Sequence, residues 1–286
     1  MLSSKAPSQS TLQEWSDAAP FWDKHRNLIG QMWAPVTDAL IAAAGIAEGQ
    51  SVLDVATGPG DPALTLAPIV GPDGLVIGID PVPAMIAAAR REAARLNFTN
   101  TQFEVASADE LPFSDATFHA AISRFGVMFF PSPLDGIREM LRVLKPEGKL
   151  ALAAWHLPAG NPFFRVVENI LDRYIAPAPS DPDAPNSFRF ATPGKLLSIL
   201  TEAGVANPTE QLLRFDMAVP VALDDFWTLR CEMSDKLRGL LATLSARQRA
   251  EVKRQTLAAA GAFQTSAGLT FPTEVLILSG TTPQTA

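Results

Sequence analysis

Three aspartates and one glycine turn are the residues of this chain whose spacing implies chemistry. Asp54 lies in a short apolar run, Gly58-Pro59-Gly60-Asp61-Pro62-Ala63 follows it, Asp80 ends the next apolar run 20 residues beyond Gly60, and Asp109 sits in the loop after a third. On spacing alone the turn matches the loose dinucleotide fingerprint G-x-G-x-x-G/A followed by a distant acid. Charge argues against a pyrophosphate there. Helix N-termini that hold phosphates are kept free for anions, and a carboxylate at Asp54, near the floor of the crevice, opposes one. A ligand with a cationic amino group gains from Asp54 instead, by about 1.5–3 kcal/mol for a charged hydrogen bond. Asp80 can take both hydroxyls of a ribose, and Asp109, on the ligand-binding edge of an open α/β sheet, can accept from an exocyclic amine. Amino acid, ribose and adenine in that order across three strand ends describe S-adenosylmethionine. Met85, on the helix after Asp80, could pack its thioether on the adenine face. The plainer reading stays open beside this one: Gly58 and Gly60 as a tight turn, Asp80 as a helix cap before Pro81, Met85 as core.

The elements that must position these residues alternate. Strand-type runs cover 51–56, 75–80, 101–106, 119–125 and 149–155, separated by helix-type stretches over 61–70, 82–97 and 132–144. This order predicts a parallel sheet with helices on both faces. Lys145-Pro146-Glu147-Gly148 reads as a turn into the fifth strand. Residues 11–46 read as helical with interruptions at Pro20 and Pro35. Trp15, Trp22 and Trp33, seven and eleven residues apart, can share one face, either as a docking stripe or as a substrate cage. Seven prolines, at 158, 162, 177, 179, 182, 185 and 193, mark an insertion folded over the site, with a helix over 163–175 inside it. A helix at 193–204, a strand near 210–219, a polar helical block over 222–262 and a strand at 273–280 complete the pattern.

Composition sets limits on function. With 286 residues and 47% hydrophobic content, the chain can build one elaborated α/β domain. Its expected parts are an N-terminal helical cap (1–46), a cofactor-binding core (48–157), substrate-cap insertions (158–192 and 222–265), and the rest of the sheet (193–220 and 268–281). The polar N-terminus does not read as a secretory signal and no apolar run is long enough for a membrane span. The expectation is a cytoplasmic protein without a membrane span. Cys231 is the only cysteine, the three histidines lie apart at 25, 119 and 156, and the net charge is −7 without a basic cluster. No metal and no nucleic-acid partner are expected.

"VLDVATGPGD", "VIGIDPVPAMIAAAR", "ASADELPF" and "SRFGVMFFPSPLDGIREMLRVLKPEGKLALAAW" together resemble the class I S-adenosylmethionine-dependent methyltransferases. The likeness is greatest to the bacterial small-molecule branch related to the ubiquinone/menaquinone biosynthesis C-methyltransferases. It implies a Rossmann-like, seven-stranded, mostly parallel sheet with a helical cap, and S-adenosyl-L-methionine as cofactor. The methionine end would lie at Asp54, Thr57, Gly58 and Gly60, the ribose at Asp80, and the adenine at Met85, Ala108 and Asp109. Ser123 and Arg124 would line the methionine side and the acceptor entrance, and the cofactor set also takes in Ala56, Pro81, Glu110 and Phe125. Two positions depart from the family pattern: Ala56 where many relatives carry glycine, and His119 where an acid often begins the fourth strand.

Because a sulfonium methyl is already activated, such an enzyme must chiefly hold a nucleophile in line and exclude water. Trp22, Phe129, Trp155 and Phe188, with Phe125, read as an apolar acceptor chamber whose ring faces also suit a sulfonium. That points to a small, largely apolar or aromatic methyl acceptor. If a proton must leave, His156 or His25 is the expected base, against the alternative that both are structural imidazoles. An NAD(P)-dependent oxidoreductase and a non-catalytic S-adenosylmethionine-binding protein are the rival readings. Monomer and homodimer stay open. The cap segments are expected to close over bound cofactor.

Overall fold

A computed structural model describes residues 9–176 and 181–283. Residues 1–8 of the N-terminal cap, and 177–180 of the first insertion with Pro177 and Pro179, lie outside the described residues. In chain order the elements are α1 (Gln9–Lys24), α2 (Arg26–Ala44), β1 (Ser51–Val55), α3 (Ala63–Val70), β2 (Leu75–Asp80), α4 (Pro83–Arg95), β3 (Thr101–Val105), β4 (Phe118–Arg124), α5 (Pro133–Val143) and β5 (Leu144–Trp155). There follow α6 (Pro162–Leu171), α7 (Lys195–Ala203), β6 (Ala206–Val219), α8 (Leu223–Glu232), α9 (Asp235–Ala242), α10 (Ala246–Ala260), β7 (Gln264–Thr265) and β8 (Gly268–Thr281).

The strands form one sheet in the order β3-β2-β1-β4-β5-β8-β6, with the two-residue β7 paired to β8. β1 to β5 run parallel, and β8 runs antiparallel between β5 and β6. This is the expected Rossmann-like, mostly parallel sheet of seven strands, with β7 as a short addition. Val52, Leu53, Ala120, Ala121, Ile122, Leu150, Ala151 and Leu152 are wholly buried, as strands covered on both faces must be. Strand order reverses between β1 and β4, so the C-terminal ends of those two strands flank the crevice where open α/β sheets bind ligands.

The helices follow their apolar spacing. In α6, Phe163, Val166, Val167, Ile170 and Leu171 form the buried stripe, at the i, i+3, i+4, i+7, i+8 positions of a one-sided helix. Ser132 caps α5 by accepting from the Asp135 amide, and Ser245 opens α10 in a reciprocal capping box with Gln248.

Two local expectations are corrected. Pro20 and Pro35 lie inside α1 and α2, and the break between these helices falls at His25. The Lys145-Pro146-Glu147-Gly148 turn lies within β5: pairing with β4 jumps from Phe118–Leu144 to Ala120–Lys149, and Glu147 takes φ +60°. The turn residues thus make an irregularity in a longer strand. His119 stands at the far end of the sheet from the crevice, where its Nδ1 accepts from the Ser51 amide.

Candidate active site

The glycine turn is fixed by its own backbone. Gly58 has φ +57°, and a Cβ built there meets no atom within 4 Å; Gly60 has φ +110°, and its Cβ would come within 2.8 Å of Leu64 and 3.1 Å of Ala89. Gly58 therefore leaves space open, whereas Gly60 lets α3 and α4 approach. The Gly58 amide donates to Asp80 Oδ2 at 3.0 Å, and the Val82 amide donates to Asp80 Oδ1 at 2.9 Å. Asp80 so ties the turn to the end of β2 and holds the start of α4, while each oxygen retains a lone pair. Arg26 adds a second tie by donating to the carbonyls of Pro59 and Ala88.

Asp54 is completely buried. Its Oδ2 accepts from Thr57 Oγ1 at 2.6 Å and from the Ala63 amide at 3.1 Å, and its Oδ1 has no partner. An unpaired buried oxygen of this kind costs about 1–3 kcal/mol or more. Burial pushes the Asp54 carboxyl up to about 7 and that of Asp80 up to about 6. Arg124 pairs with Asp61 Oδ2 at 2.6 Å and donates to Thr37 Oγ1 at 2.7 Å, anchoring the turn to α2.

Ala56 and Phe125, the residues that follow β1 and β4, have φ +62° and +64°. Left-handed backbone costs a non-glycine residue about 1–2 kcal/mol, and such strain gathers at functional sites. The value at Ala56 accounts for glycine at that position in the family pattern. Gly126 lets the two strand ends meet, since a Cβ there would lie 2.5 Å from that of Ala56 and 2.6 Å from Ser123 Oγ.

These features surround one cavity that opens to the surface. Of the residues expected to bind cofactor, Ala56, Gly58, Asp80, Met85, Ala108, Arg124 and Phe125 line it; of the acceptor set, Trp22 and Phe129 do. Asp54, Thr57 and Gly60 stand behind the turn, and Pro81 lies between two lining residues. Asp109 is half-buried beside lining Ala108 and accepts from Ser107, whereas Glu110 is exposed. Ser123 uses its hydroxyl on the Val55 carbonyl at 2.8 Å.

Neither histidine is in the cavity wall. His25 Nε2 is bound to Glu232, and His156 Nδ1 to Glu274 Oε2 at 2.6 Å. The His156 contact, followed by Arg214, holds the Glu274 carboxyl below its ordinary value. Among the lining residues the titratable groups are Asp80 and Arg124.

The aromatic residues form a chain. Trp15 meets Phe129 at 5.1 Å and Trp22 at 5.6 Å, Trp22 meets Trp33 at 5.7 Å, and Trp33 meets Phe125 at 5.1 Å. Phe125 stacks on Trp155 at 4.1 Å, and the chain passes through Phe164 to Phe188. Trp155 and Phe188 thus stand behind the cavity wall. Trp15 and Trp22 line the cavity and also pack with Ala19, Val82 and Met85, so the tryptophan stripe is docking face and cavity wall at once. Sequence reasoning did not assign Gly126, Ser107, Phe130 or Arg26; a glycine directly after a strand was the one available signal.

No group of three or more potential metal ligands occurs among the described residues, and none of their helices is long and apolar enough to cross a membrane. Residues 52–148 match the methyltransferase domain family. The chain is 37% identical over 125 residues to an uncharacterized protein, Mb1440c, of Mycobacterium bovis, covering 44% of each chain. It is 36% identical over 120 residues to the ubiquinone/menaquinone biosynthesis C-methyltransferase UbiE of Geobacter sulfurreducens, covering 42% of this chain and 47% of that one. The aligned stretch thus spans less than half the length of these relatives. The YcgJ protein of Bacillus subtilis shares the fold with a TM-score of 0.57 at 18% identity, over 88% of this chain and all of that one. Within this sheet, residues 52–148 are thus similar to a methyltransferase domain, and the sheet has the fold of the YcgJ protein.

Proposed function

We propose that this protein is an S-adenosyl-L-methionine-dependent methyltransferase acting on an O, N or C nucleophile of a small, largely apolar or aromatic molecule. The observation that carries the reading is one cavity with the Asp80 carboxylate and the glycine turn on its floor and tryptophan and phenylalanine rings on its wall. The residues fit the cofactor on their own terms. Asp54 Oδ1 is a buried acceptor without a donor, and Gly58 leaves a cradle that a side chain would fill.

When bound, S-adenosylmethionine supplies an activated methyl group on a sulfonium. Asp80 holds the ribose hydroxyls with its remaining lone pairs, and Asp54 takes the amino group. Met85, Ala108 and Asp109 receive the adenine. Phe125, Phe129 and Trp22 exclude water and turn ring faces toward positive charge. His25 and His156 are bound to Glu232 and Glu274 away from the wall, so the chain contributes chiefly orientation, the largest share of such a rate enhancement. The segments 1–46, 158–192 and 222–265 are read as the cap that chooses the acceptor. A cytoplasmic setting belongs to the same proposal.

Calorimetric titration tests it. S-adenosylmethionine and its demethylated product, S-adenosylhomocysteine, are expected to bind in the micromolar range, with affinity reduced about 100-fold in Asp80→Ala, the loss of two charged hydrogen bonds. A preference for NADH would reverse the reading in favour of an oxidoreductase. Binding without methyl transfer to any phenol, quinone, amine or acid would leave a cofactor-binding protein.

A further inference from the structure

Arg26, the first residue of α2, stands where three parts of the molecule meet. Its side chain is 10% exposed. Nη1 donates to the Pro59 carbonyl in the glycine turn, and Nη2 donates both to Asp23 Oδ1 at the end of α1 and, at 3.2 Å, to the Ala88 carbonyl on α4. A guanidinium is planar and rigid, so these three partners are fixed relative to one another. The ammonium of a lysine is a single point on a flexible stem and cannot hold the same set.

The turn has to be held from outside. Gly58 and Gly60, on either side of Pro59, both have positive φ, and glycine restricts its own backbone least. Asp80 takes the Gly58 amide, and the Gly60 amide donates to the Thr57 carbonyl at 3.1 Å. Pro59 has no amide hydrogen, so its carbonyl is the handle by which Arg26 holds the apex of the turn. Gly58 lines the cavity, and a shift at Pro59 moves that lining.

The helix α1 has to be held too. It packs through a small cluster, Leu12, Trp15, Ala19 and Trp22 around Val82 and Met85, and of these Trp22 also reaches the main core. Its last turn is tied by charge: Asp23 pairs with Arg26 and, at 2.7 Å, with Arg91 on α4, and Lys24 pairs with Glu232 at 2.8 Å. Trp15 and Trp22 line the cavity opposite the turn's own contribution to it. Asp23 therefore fastens one lining segment, and Arg26 joins Asp23 to the other.

We propose that Arg26 is a positioning residue that couples the glycine turn to α1, so that filling the turn with cofactor and keeping the tryptophan helix docked are one event. The coupling is reciprocal: loosening α1 weakens the ligand, just as the ligand tightens α1. This inference rests on the methyl-transfer reading for its ligand; the tie between turn and helix does not.

The test uses the full chain as wild type, Asp23→Ala, Arg26→Met, Arg26→Lys and the double variant Asp23→Ala/Arg26→Met. S-adenosylhomocysteine is titrated into each by calorimetry, and amide hydrogen exchange is followed by mass spectrometry in peptides covering α1, residues 56–64 and, as reference, α10. In wild type, saturating ligand is expected to slow exchange in α1 about tenfold relative to α10. Asp23 is bonded to Arg26 and Arg91 and is not in the cavity wall. Asp23→Ala is nevertheless expected to weaken S-adenosylhomocysteine about fivefold, and to add nothing in the Arg26→Met background. Arg26→Met is expected to weaken it about 30-fold, the ratio set by one charged hydrogen bond, and to lose the response of α1 at saturation. Arg26→Lys should recover part of the affinity without the response of α1. A residue that only stabilises the fold would leave that response intact in every variant. No slowing of α1 in wild type, unchanged affinity in Asp23→Ala, or full additivity of the two substitutions would overturn the proposal. Wild type and Asp23→Ala decide the coupling even where Arg26→Met does not fold. Failure of wild type to bind S-adenosylhomocysteine would overturn the methyl-transfer reading alone. The ligand-free exchange then decides the tie: Asp23→Ala is expected to speed exchange over 56–64 about threefold relative to α10, and a change confined to α1 would overturn it.

Discussion

The two ends of the cavity are built by opposite means. At the glycine turn, backbone conformation sets the shape: φ is positive at Ala56, Gly58, Gly60 and Phe125, and Asp80 and Arg26 are hydrogen-bonded to the turn itself. The far wall is assembled from rings on α1, α2, the segment after β4, β5 and α6. Unmatched buried atoms include an acceptor near the first end, Asp54 Oδ1, and donors among the rings of the second, on Trp22 and Trp33. On the proposed reading, the first end meets a cationic group and the second an apolar body. Residues 52–148, which match the methyltransferase domain family, contain nearly all of the first end and few of the rings of the second. Sequence likeness therefore covers the glycine turn far better than the ring wall.

The comparison breaks most easily at Gly126. Gly126→Val is expected to destabilise the protein by about 3 kcal/mol through overpacking against Ala56 and Ser123, and to abolish S-adenosylhomocysteine binding, as read by urea unfolding and calorimetry. A stable Gly126→Val protein that binds normally would show that the floor does not depend on close backbone contact.

Acidity sharpens the contrast next. Burial raises Asp54 to about 7 and Asp80 to about 6 from 3.8, so the ligand-free folded protein keeps protons that the unfolded chain has lost. The contribution of these groups to stability is fully present below about pH 4 and is lost as pH rises through about 6 to 7. If Asp54 takes a cationic amino group as proposed, binding of that group runs the other way, because it needs Asp54 ionised. Affinity for S-adenosylhomocysteine is expected to rise about tenfold from pH 6 to pH 8, with proton release in calorimetry, and Asp54→Asn should flatten that rise.

A change confined to the wall should leave the floor untouched. Phe164→Leu is expected to lower methyl transfer about tenfold by loosening the acceptor, with S-adenosylhomocysteine affinity unchanged by calorimetry. The smallest effect belongs to Ala56→Gly, which relieves left-handed strain and is expected to stabilise the fold by about 1 kcal/mol in urea unfolding.

The core strands were legible because they are buried on both faces and therefore read as continuous apolar runs; the run at 75–80 coincides with β2. The turn was legible because glycines mark both open space and positive φ, and Asp80 because its spacing from the turn is fixed by one strand–helix–strand unit. The carboxylate partners of the two histidine candidates were not legible. His25 and Glu232 are 207 residues apart and His156 and Glu274 are 118 apart, beyond any local pattern. The same holds for the ring chain, whose members come from six segments. The prolines misled because both are accommodated inside helices, while the break came at a histidine without a distinctive signal.

β8 lies between β5 and β6 in the sheet but follows both in sequence. Until residues 268–281 have left the ribosome, β5 presents an open apolar edge from Leu150 to Trp155, and β6 has no strand to pair with. Unpaired edges of this kind template association between chains. Production of the protein therefore depends on reaching a strand that contributes nothing to the cavity wall. A chain stopped before Gly268 is expected to keep the whole glycine turn and still aggregate.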